Sequence, residues 1–533
     1  MIARPVTRWS LLQASLCLLL ISPMLALFFV AARPAPSLLG HLVETVLGRY
    51  FVNTILLMGG VGLLASLFGV SAAWVVSRYE FKGRRIFDWM LVLPAAIPAY
   101  IIAYAYTDFL EFAGPVQTAL RSLLGVSSAR DYWFFEIRSL GGAVVMMAAV
   151  LYPYIYIMAR TAFRQTSRTL FEAAMVSGRD IFYDVALPLA RPAIIAGLSL
   201  VLMEVISDFG TVEYFAVDTL TLGIFNVWLG MNNMPAAAQL SLIALVVIIG
   251  LLGTELYARS RRSFTNLSNT KRGVPRIALP ASRRVRVYFI CLVPVLIGFV
   301  IPLVILASFL TKGISADVSA NFWPMLANNL KVAGLAALAI MGVCLIIALL
   351  THYRLGRGAR LLALLAATGY AIPGTILAIG VLGFMGWLNQ LMAMIGAPYL
   401  SGGLLALTIG YMVRFHAVGY GAVETGLGRV PKHLFEASTL LGKNASESLA
   451  KIVVPIISPS VGAGLLLVFV DVMKELPMTL LLRPFNFETF ATFTYQYAKD
   501  EMIEQAALPA LMIVLTGLIP VILLNYSVTR GQR

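Results

Sequence analysis

Cysteine is nearly absent from this 533-residue chain, which has only three. Cys17, Cys291 and Cys344 each lie in an apolar stretch with no partner at paired spacing. That excludes a disulfide framework and a cysteine-based metal knuckle, and leaves small apolar packing residues. Charge is scarce too: 12% of residues are Asp, Glu, Lys or Arg, against about 25% in an average soluble domain. With 60% hydrophobic residues and a mean hydropathy of +0.87, that shortage excludes a soluble globular protein and a disordered one. Catalytic motifs are missing as well. No G-x-x-x-x-G-K-[ST] run exists, and Gly442-Lys443 is followed by Asn444, so the chain holds no P-loop nucleotide site. The four histidines, His41, His352, His416 and His433, are scattered and form no H-E-x-x-H, which leaves a zinc protease site unsupported. No catalytic site and no bound cofactor are assigned to this chain.

What is present is apolar sequence in long blocks. A spanning helix needs about 20 mostly apolar residues, and about twelve blocks reach that length. They are 10–32, 51–77, 86–111, 139–163, 191–216 and 236–258, then 287–311, 328–351, 361–388, 402–424, 457–482 and 506–528. The expected fold class is therefore an all-α polytopic membrane protein. Arg4 and Arg8 precede the first block as they would a secretory signal. That block is longer than a signal core of about 7–15 residues, so it is read as a retained helix.

Acidic residues are outnumbered by basic ones, 25 against 40, for a net charge of +15. Most of the Lys and Arg fall on one side when both termini are placed in the cytoplasm, which is the orientation the positive-inside rule selects. The stretch 259–286 contributes most. It carries Arg259, Arg261, Arg262, Lys271, Arg272, Arg276, Arg283, Arg284 and Arg286, no acidic residue, and Pro275 and Pro280. It reads as a basic cytoplasmic linker rather than a nucleic-acid site.

The linker separates two halves that resemble each other. Asn53 matches Asn329, Ile97-Pro98 matches Ile372-Pro373, Glu172 matches Glu436, Pro192 matches Pro459 and Asp208 matches Glu475, all in the same order. This pattern indicates duplication and fusion. The units are 1–258 and 287–533. An even number of spans per unit gives both the same orientation, so the repeats are parallel, with a pathway expected between them.

The most specific feature is a pair of loops, near 164–190 and 425–456. One contains LFEAAMVSGRDIFYDVALPLARPAI and the other LFEASTLLGKNASESLAKIVVPIISPSV. Both are amphipathic, and in each a helix would stop at the glycine, with a second short helix running to the proline. They resemble the EAA loops of the membrane subunits of binding-protein-dependent ABC importers. The family pattern maps onto Glu172, Ala173, Ala174, Gly178 and Pro188, and onto Glu436, Ala437, Gly442 and Pro455. The resemblance implies that each loop is a coupling knob seated in a separate ATPase subunit. Glu172 to Pro188 is three residues shorter than Glu436 to Pro455, which implies unequal coupling.

Ionisable residues inside spans are functional candidates. Glu204 and Asp208 lie in the fifth block, Asp471 and Glu475 in the eleventh, at matched repeat positions. The i, i+4 spacing places each pair on one helix face. At about 1.5 Å per residue, the first of each pair lies roughly 18 Å beyond Pro192 or Pro459. Two roles are open: contact with a cationic substrate, for which oxygen ligands are suited, or hydrogen bonding that positions gate helices. No metal-ligand set is assigned. Tyr100, Tyr104 and Tyr106 are read as an interfacial aromatic belt, or as further phenolic oxygens.

The stretches 207–231 (SDFGTVEYFAVDTLTLGIFNVWLGM) and 471–501 (DVMKELPMTLLLRPFNFETFATFTYQYAKDE) narrow the resemblance. Both look like fused two-unit permeases of bacterial ferric-iron importers. The resemblance implies an inner-membrane permease with two ATPase subunits that carry the ATP and Mg, and a periplasmic iron-binding protein as a further partner. Thiamine and polyamine permeases share the EAA loops, so those substrates stay open. A gradient-driven secondary transporter is the rival of a different class.

Overall fold

The computed structural model describes residues 8–34, 36–260, 275–311, 316–353, 357–400 and 403–530. Residues 261–274 of the basic linker lie outside the described residues. The helices used below are, in chain order, α1 (Arg8–Ala31), α2 (Gly48–Arg78), α3 (Leu140–Gln165), α4 (Arg168–Val176), α5 (Leu187–Ser207) and α6 (Gly210–Tyr214). They continue with α7 (Ala316–Tyr353), α8 (Gly374–Met394), α9 (Gly403–Leu427), α10 (Lys432–Leu440) and α11 (Val454–Met473). Last come α12 (Pro477–Leu482), α13 (Phe490–Lys499) and α14 (Ile503–Arg530).

Among the described residues ten helices are long and apolar enough to cross a membrane, or eleven counting one bent pair. The expected count of about twelve is corrected at two places. The third block is not one helix: Arg84–Ala96 and Ala99–Leu124 meet at 91°. Pro98 is the cause, because it forces Ile97 into an extended conformation (ψ 119°), as proline does to the residue before it. The ninth block breaks identically at Ile372-Pro373, where Ile372 has ψ 127° and α8 begins at Gly374. The tenth block does form one 25-residue helix, α9. Arg414 and His416 dilute its apolar character, and it is not among the ten.

The compact units cut across the order of the sequence. One unit contains 1–39, 224–242 and 319–493. Its α1 packs along α8 and α9. Glycines permit the approach: a Cβ on Gly380 would strike the Pro23 carbonyl, and one on Gly383 would meet Val30. Lipid supplies no hydrophobic drive between helices, so close packing of small residues and interhelical hydrogen bonds must hold them. Gln13 donates to the Ala359 carbonyl at 2.9 Å, and Gln239 donates to the Ala31 and Arg33 carbonyls at 3.0 Å. Further along, α9 packs on α11. His416 is buried with its Nδ1 3.2 Å from the Cys344 sulfur.

The other unit contains 40–223, 243–318 and 494–533. Its centre is α2, α3 and α5 packed together. Gly69 of α2 and Gly197 of α5 each press on the backbone of α3, near Tyr152–Tyr156 and Ile155. The helices Arg284–Val295 and Ile301–Leu310 belong here, the latter against α14. A buried ion cluster ties the short helix Arg84–Met90 to the end of α3. Asp88 Oδ1 accepts from Tyr156 Oη at 2.7 Å and from Arg160, and Oδ2 accepts from Arg164 at 2.8 Å. Arg160 is only 2% exposed. Tyr79–Glu80 and Ile277–Ala278 pair as short parallel strands. Arg78 donates to the Pro275 carbonyl beside them. The end of the linker is thereby held against the end of α2.

The three cysteines are buried and free, which matches their reading as packing residues. Tyr100, Tyr104 and Tyr106 are 6%, 3% and 5% exposed. The belt reading is therefore corrected, because a belt faces the lipid surface. Tyr106 instead donates to the Ile297 carbonyl at 2.9 Å, and Tyr104 packs edge-on to Tyr214 with centroids 4.6 Å apart.

Candidate functional site

Two exposed loops leave the apolar helices at matched places in the repeats. In the first, α4 is followed by Gly178, which turns the chain at φ +66°. That left-handed backbone carries no Cβ penalty in glycine. Asp180 then caps the next turn, its Oδ1 accepting from Phe182 N and Tyr183 N at 2.8 Å. Pro188 stands in the first turn of α5, where its missing N–H costs nothing. In the second loop Gly442 turns at φ +82° after α10. Asn444 Oδ1 accepts from Glu447 N at 2.8 Å, and Pro455 opens α11.

The length difference has a structural form. The second loop inserts one helical turn, Ala445–Ser448, before the π-helical segment Leu449–Val453. The first enters its π-helical segment Ile181–Ala186 directly. The extra turn is pinned by the buried Ser438 and Ser448 hydroxyls, 2.7 Å apart. At the place of Ser438 the first loop has Ala174, which has no hydroxyl.

Each knob ends in exposed apolar side chains. Phe171 and Ala174 face inward at 0% and 4% exposure, whereas Val176 is 90% exposed. Leu440 and Leu441 are 88% and 83% exposed in the second loop. Glu172, Ala173 and Ala437 are exposed, and the Glu436 side chain lies outside the described residues. Uncovered apolar tips on a folded turn fit insertion into a partner groove.

The carboxylate pairs do not share a helix face. In both repeats the helix ends between the two members, at Ser207 and at Met473. The outer member instead holds the short helix that follows. Asp208 Oδ1 accepts from Thr211 N at 2.9 Å and Val212 N at 3.2 Å, and Oδ2 accepts from Thr211 Oγ1 at 2.8 Å. Glu475 Oε1 accepts from Met478 N at 2.9 Å. Its Oε2 accepts from Thr479 N at 2.9 Å and Thr479 Oγ1 at 2.7 Å. Glu475 is 6% exposed, and Arg414 Nη1 lies 3.7 Å from its Oε1. The inner members differ: Glu204 is exposed, and Asp471 pairs with Lys474 at 2.9 Å. Backbone capping thus occupies Asp208 and Glu475, while Glu204 and Asp471 keep more open surroundings.

A third feature was not singled out from the sequence. A cavity of about 200 Å³ is lined by Tyr104, Glu213, Tyr214, Tyr495 and Lys499, with Arg138 and Glu501 at its side. Glu213 comes from α6 and Lys499 from α13, so one unit joins residues of both sequence repeats here. Lys499 Nζ is 3.0 Å from Glu213 Oε1, and Tyr495 Oη donates to Glu213 Oε2. Burial and the adjacent Glu213 push the Tyr495 phenol well above its ordinary range. The only sequence signal was that these residues fall in the two stretches 207–231 and 471–501.

Comparison with known proteins agrees with this architecture. Residues 65–264 match the "Binding-protein-dependent transport system inner membrane component" family. An Fe(3+)-transport system permease protein, FbpB 2, of Haemophilus influenzae is 24% identical over 89% of this chain and 88% of its own length. A ferric transport system permease protein of Actinobacillus pleuropneumoniae is 22% identical over 85% of this chain and 68% of its own. A probable molybdenum ABC transporter permease of Haloferax volcanii is 29% identical over 45% of this chain but 85% of its own length. A relative of half the size that matches nearly end to end is what a duplicated chain predicts. The apolar helices, the paired loops and this set of relatives make the chain similar, over most of its length, to multi-pass permeases of the binding-protein-dependent ABC importer type.

Proposed function

We propose that this chain is the membrane pathway through which a bacterial importer moves ferric iron. A periplasmic binding protein delivers the iron to the outer face, and two separate ATPase subunits, which carry ATP and Mg, dock on the α4 and α10 loops. Two six-span units, 1–258 and 287–533, are joined by the linker 259–286, with both termini in the cytoplasm. The observation that carries this reading is the paired knobs with apolar tips, together with ferric relatives whose likeness spans both repeats.

The cycle is alternating access. ATP draws the two ATPase subunits together, the knobs move with them, and the pathway opens outward to the loaded binding protein. Hydrolysis returns it inward. Each partner shifts the equilibrium only by its difference in affinity for the two states. Asp208 and Glu475 hold the short helices α6 and α12 in place at the ends of α5 and α11, so each short helix would move together with the helix before it.

Uptake of radiolabelled ferric iron in a deletion strain carrying this chain tests the reading. Restoration that requires an intact ATPase partner supports it, and restoration of molybdate uptake instead would replace the substrate. The molybdenum relative is the observation that keeps this second substrate in view.

A further inference from the structure

The cavity between α6 and α13 lies within a single unit and brings charged groups of both repeats together. Three phenols, Tyr104, Tyr214 and Tyr495, line it with the Glu213 carboxylate. Among the described residues the Tyr214 hydroxyl is buried and makes no hydrogen bond. Among those residues, too, no group of three or more His, Cys, Asp or Glu could hold a metal; the oxygen donors lining this cavity are the three phenols with the carboxylates of Glu213 and Glu501. Arg138 binds Glu111 and Glu501 at the rim. Counting Glu111 and Glu213 with Glu501, carboxylates outnumber the two cations, Arg138 and Lys499, and such a cleft concentrates positive charge.

A cationic group already occupies the donor set. The Lys499 ammonium sits 3.0 Å from Glu213 Oε1 and 3.5 Å from Tyr495 Oη. It binds a carboxylate and a phenol that are themselves in hydrogen-bond contact. Oxygens bound to one small hard cation at about 2.0–2.1 Å lie roughly 3 Å apart, so such a pair can be bridged by one metal ion. Hard, highly charged cations select oxygen donors.

We propose that this cavity is a transit site for a trivalent hard cation, held by the Tyr495 phenolate, the Glu213 carboxylate and a further phenolate from Tyr104 or Tyr214. Lys499 stands in for the cation between passages. The proposal rests on the ferric reading above and names a place on the route. On entry, each coordinating phenol releases its proton to solvent, Glu213 exchanges the Tyr495 proton and the Lys499 ammonium for the metal, and Lys499 swings out still protonated. Restoring the Lys499–Glu213 ion pair favours release, so the site does not trap its cargo.

The test uses the full-length permease, purified with its ATPase subunits, and ferric nitrilotriacetate as probe. Ferric phenolate absorbs visible light, so binding reads out as a saturable coloured band that colourless gallium(III) competes away. Tyr495→Phe and Glu213→Gln are expected to weaken the band's half-saturation at least tenfold, whereas Lys499→Gln strengthens it several-fold. The gain in the lysine variant separates a lost site from a damaged fold. Absence of the band in the wild type, or an unaltered band in Tyr495→Phe and Glu213→Gln together, overturns the proposal. A band without cellular iron uptake would instead overturn the ferric transport reading and leave the site standing.

Discussion

Glu475 binds Thr479 twice, through the backbone N–H and through the hydroxyl, with the same carboxylate oxygen. Asp208 reaches both groups of Thr211 in the matching place of the other repeat, with one oxygen for each. A side chain placed to cap a helix turn in this way fixes the helix that follows. Loss of such a cap costs about 0.5–2 kcal/mol, and stranding a buried ionic partner costs about 3–5 kcal/mol. Glu475→Ala removes both, because Arg414 loses its carboxylate neighbour. It is expected to lower the thermal midpoint in detergent far more than Thr479→Ala. A double-mutant cycle with Arg414→Leu should return a coupling energy of about 0.5–3 kcal/mol.

The knob tips should be separable from folding. Val176 and Leu440 are 90% and 88% exposed, so Val176→Asp and Leu440→Asp leave the fold intact. Burying such a side chain in a partner is worth about 1.5–3 kcal/mol, or roughly a tenfold to hundredfold loss of ATPase docking. Co-purification of the ATPase and coupled uptake measure this. The extra turn pinned by Ser438 and Ser448 stiffens the second loop, so Leu440→Asp should transmit less and Val176→Asp should damage coupling to a different extent. Equal losses in every assay would remove the argument for unequal knobs.

Asp88 ties the end of α3 to the short helix Arg84–Met90. It neutralises Arg160 and Arg164 near the end of α3, just before the α4 loop begins. Asp88→Ala leaves Arg160 buried without its counter-charge and is expected to cost about 3–5 kcal/mol, seen as a lower denaturation midpoint. Asp88→Glu should recover part of it.

Metal binding in the cavity should depend on pH in one direction. Burial and Glu213 hold the Tyr495 phenol protonated through the neutral range, so metal must displace that proton. The apparent affinity for ferric nitrilotriacetate or gallium(III) then rises with pH, about tenfold per unit for each proton released. In Tyr495→Phe this slope falls by one proton. A flat profile in the wild type would exclude phenolate ligation.

Helical class, the long apolar blocks and the repeat were open to reading because each is written in local composition and in matched order along the chain. The breaks were harder. Hydropathy runs smoothly through Ile97-Pro98 and Ile372-Pro373, and only the steric demand of proline on the residue before it divides the helices. The carboxylate spacing misled for a related reason. An i, i+4 pair shares a face only on a continuous helix, and here the second carboxylate draws backbone N–H groups of the next element toward itself and ends the first. The burial of Tyr100, Tyr104 and Tyr106 depends on neighbours, which hydropathy does not register. Glu213 and Lys499 are 286 residues apart, and no local pattern joins residues at that separation.

The interleaved units bear on how the chain is made. One unit needs 1–39 together with 319–493, and the other needs 40–223 together with 494–533. Neither can close while the ribosome is still on the second repeat. The N-terminal helix α1 must wait in the bilayer for α8 and α9, and the first repeat stays incomplete until α14 arrives. Synthesis therefore passes through a long stage in which inserted helices lack their final neighbours. The polar face around Gln13, whose partner is the Ala359 carbonyl, then depends on the lipid and the insertion machinery for company.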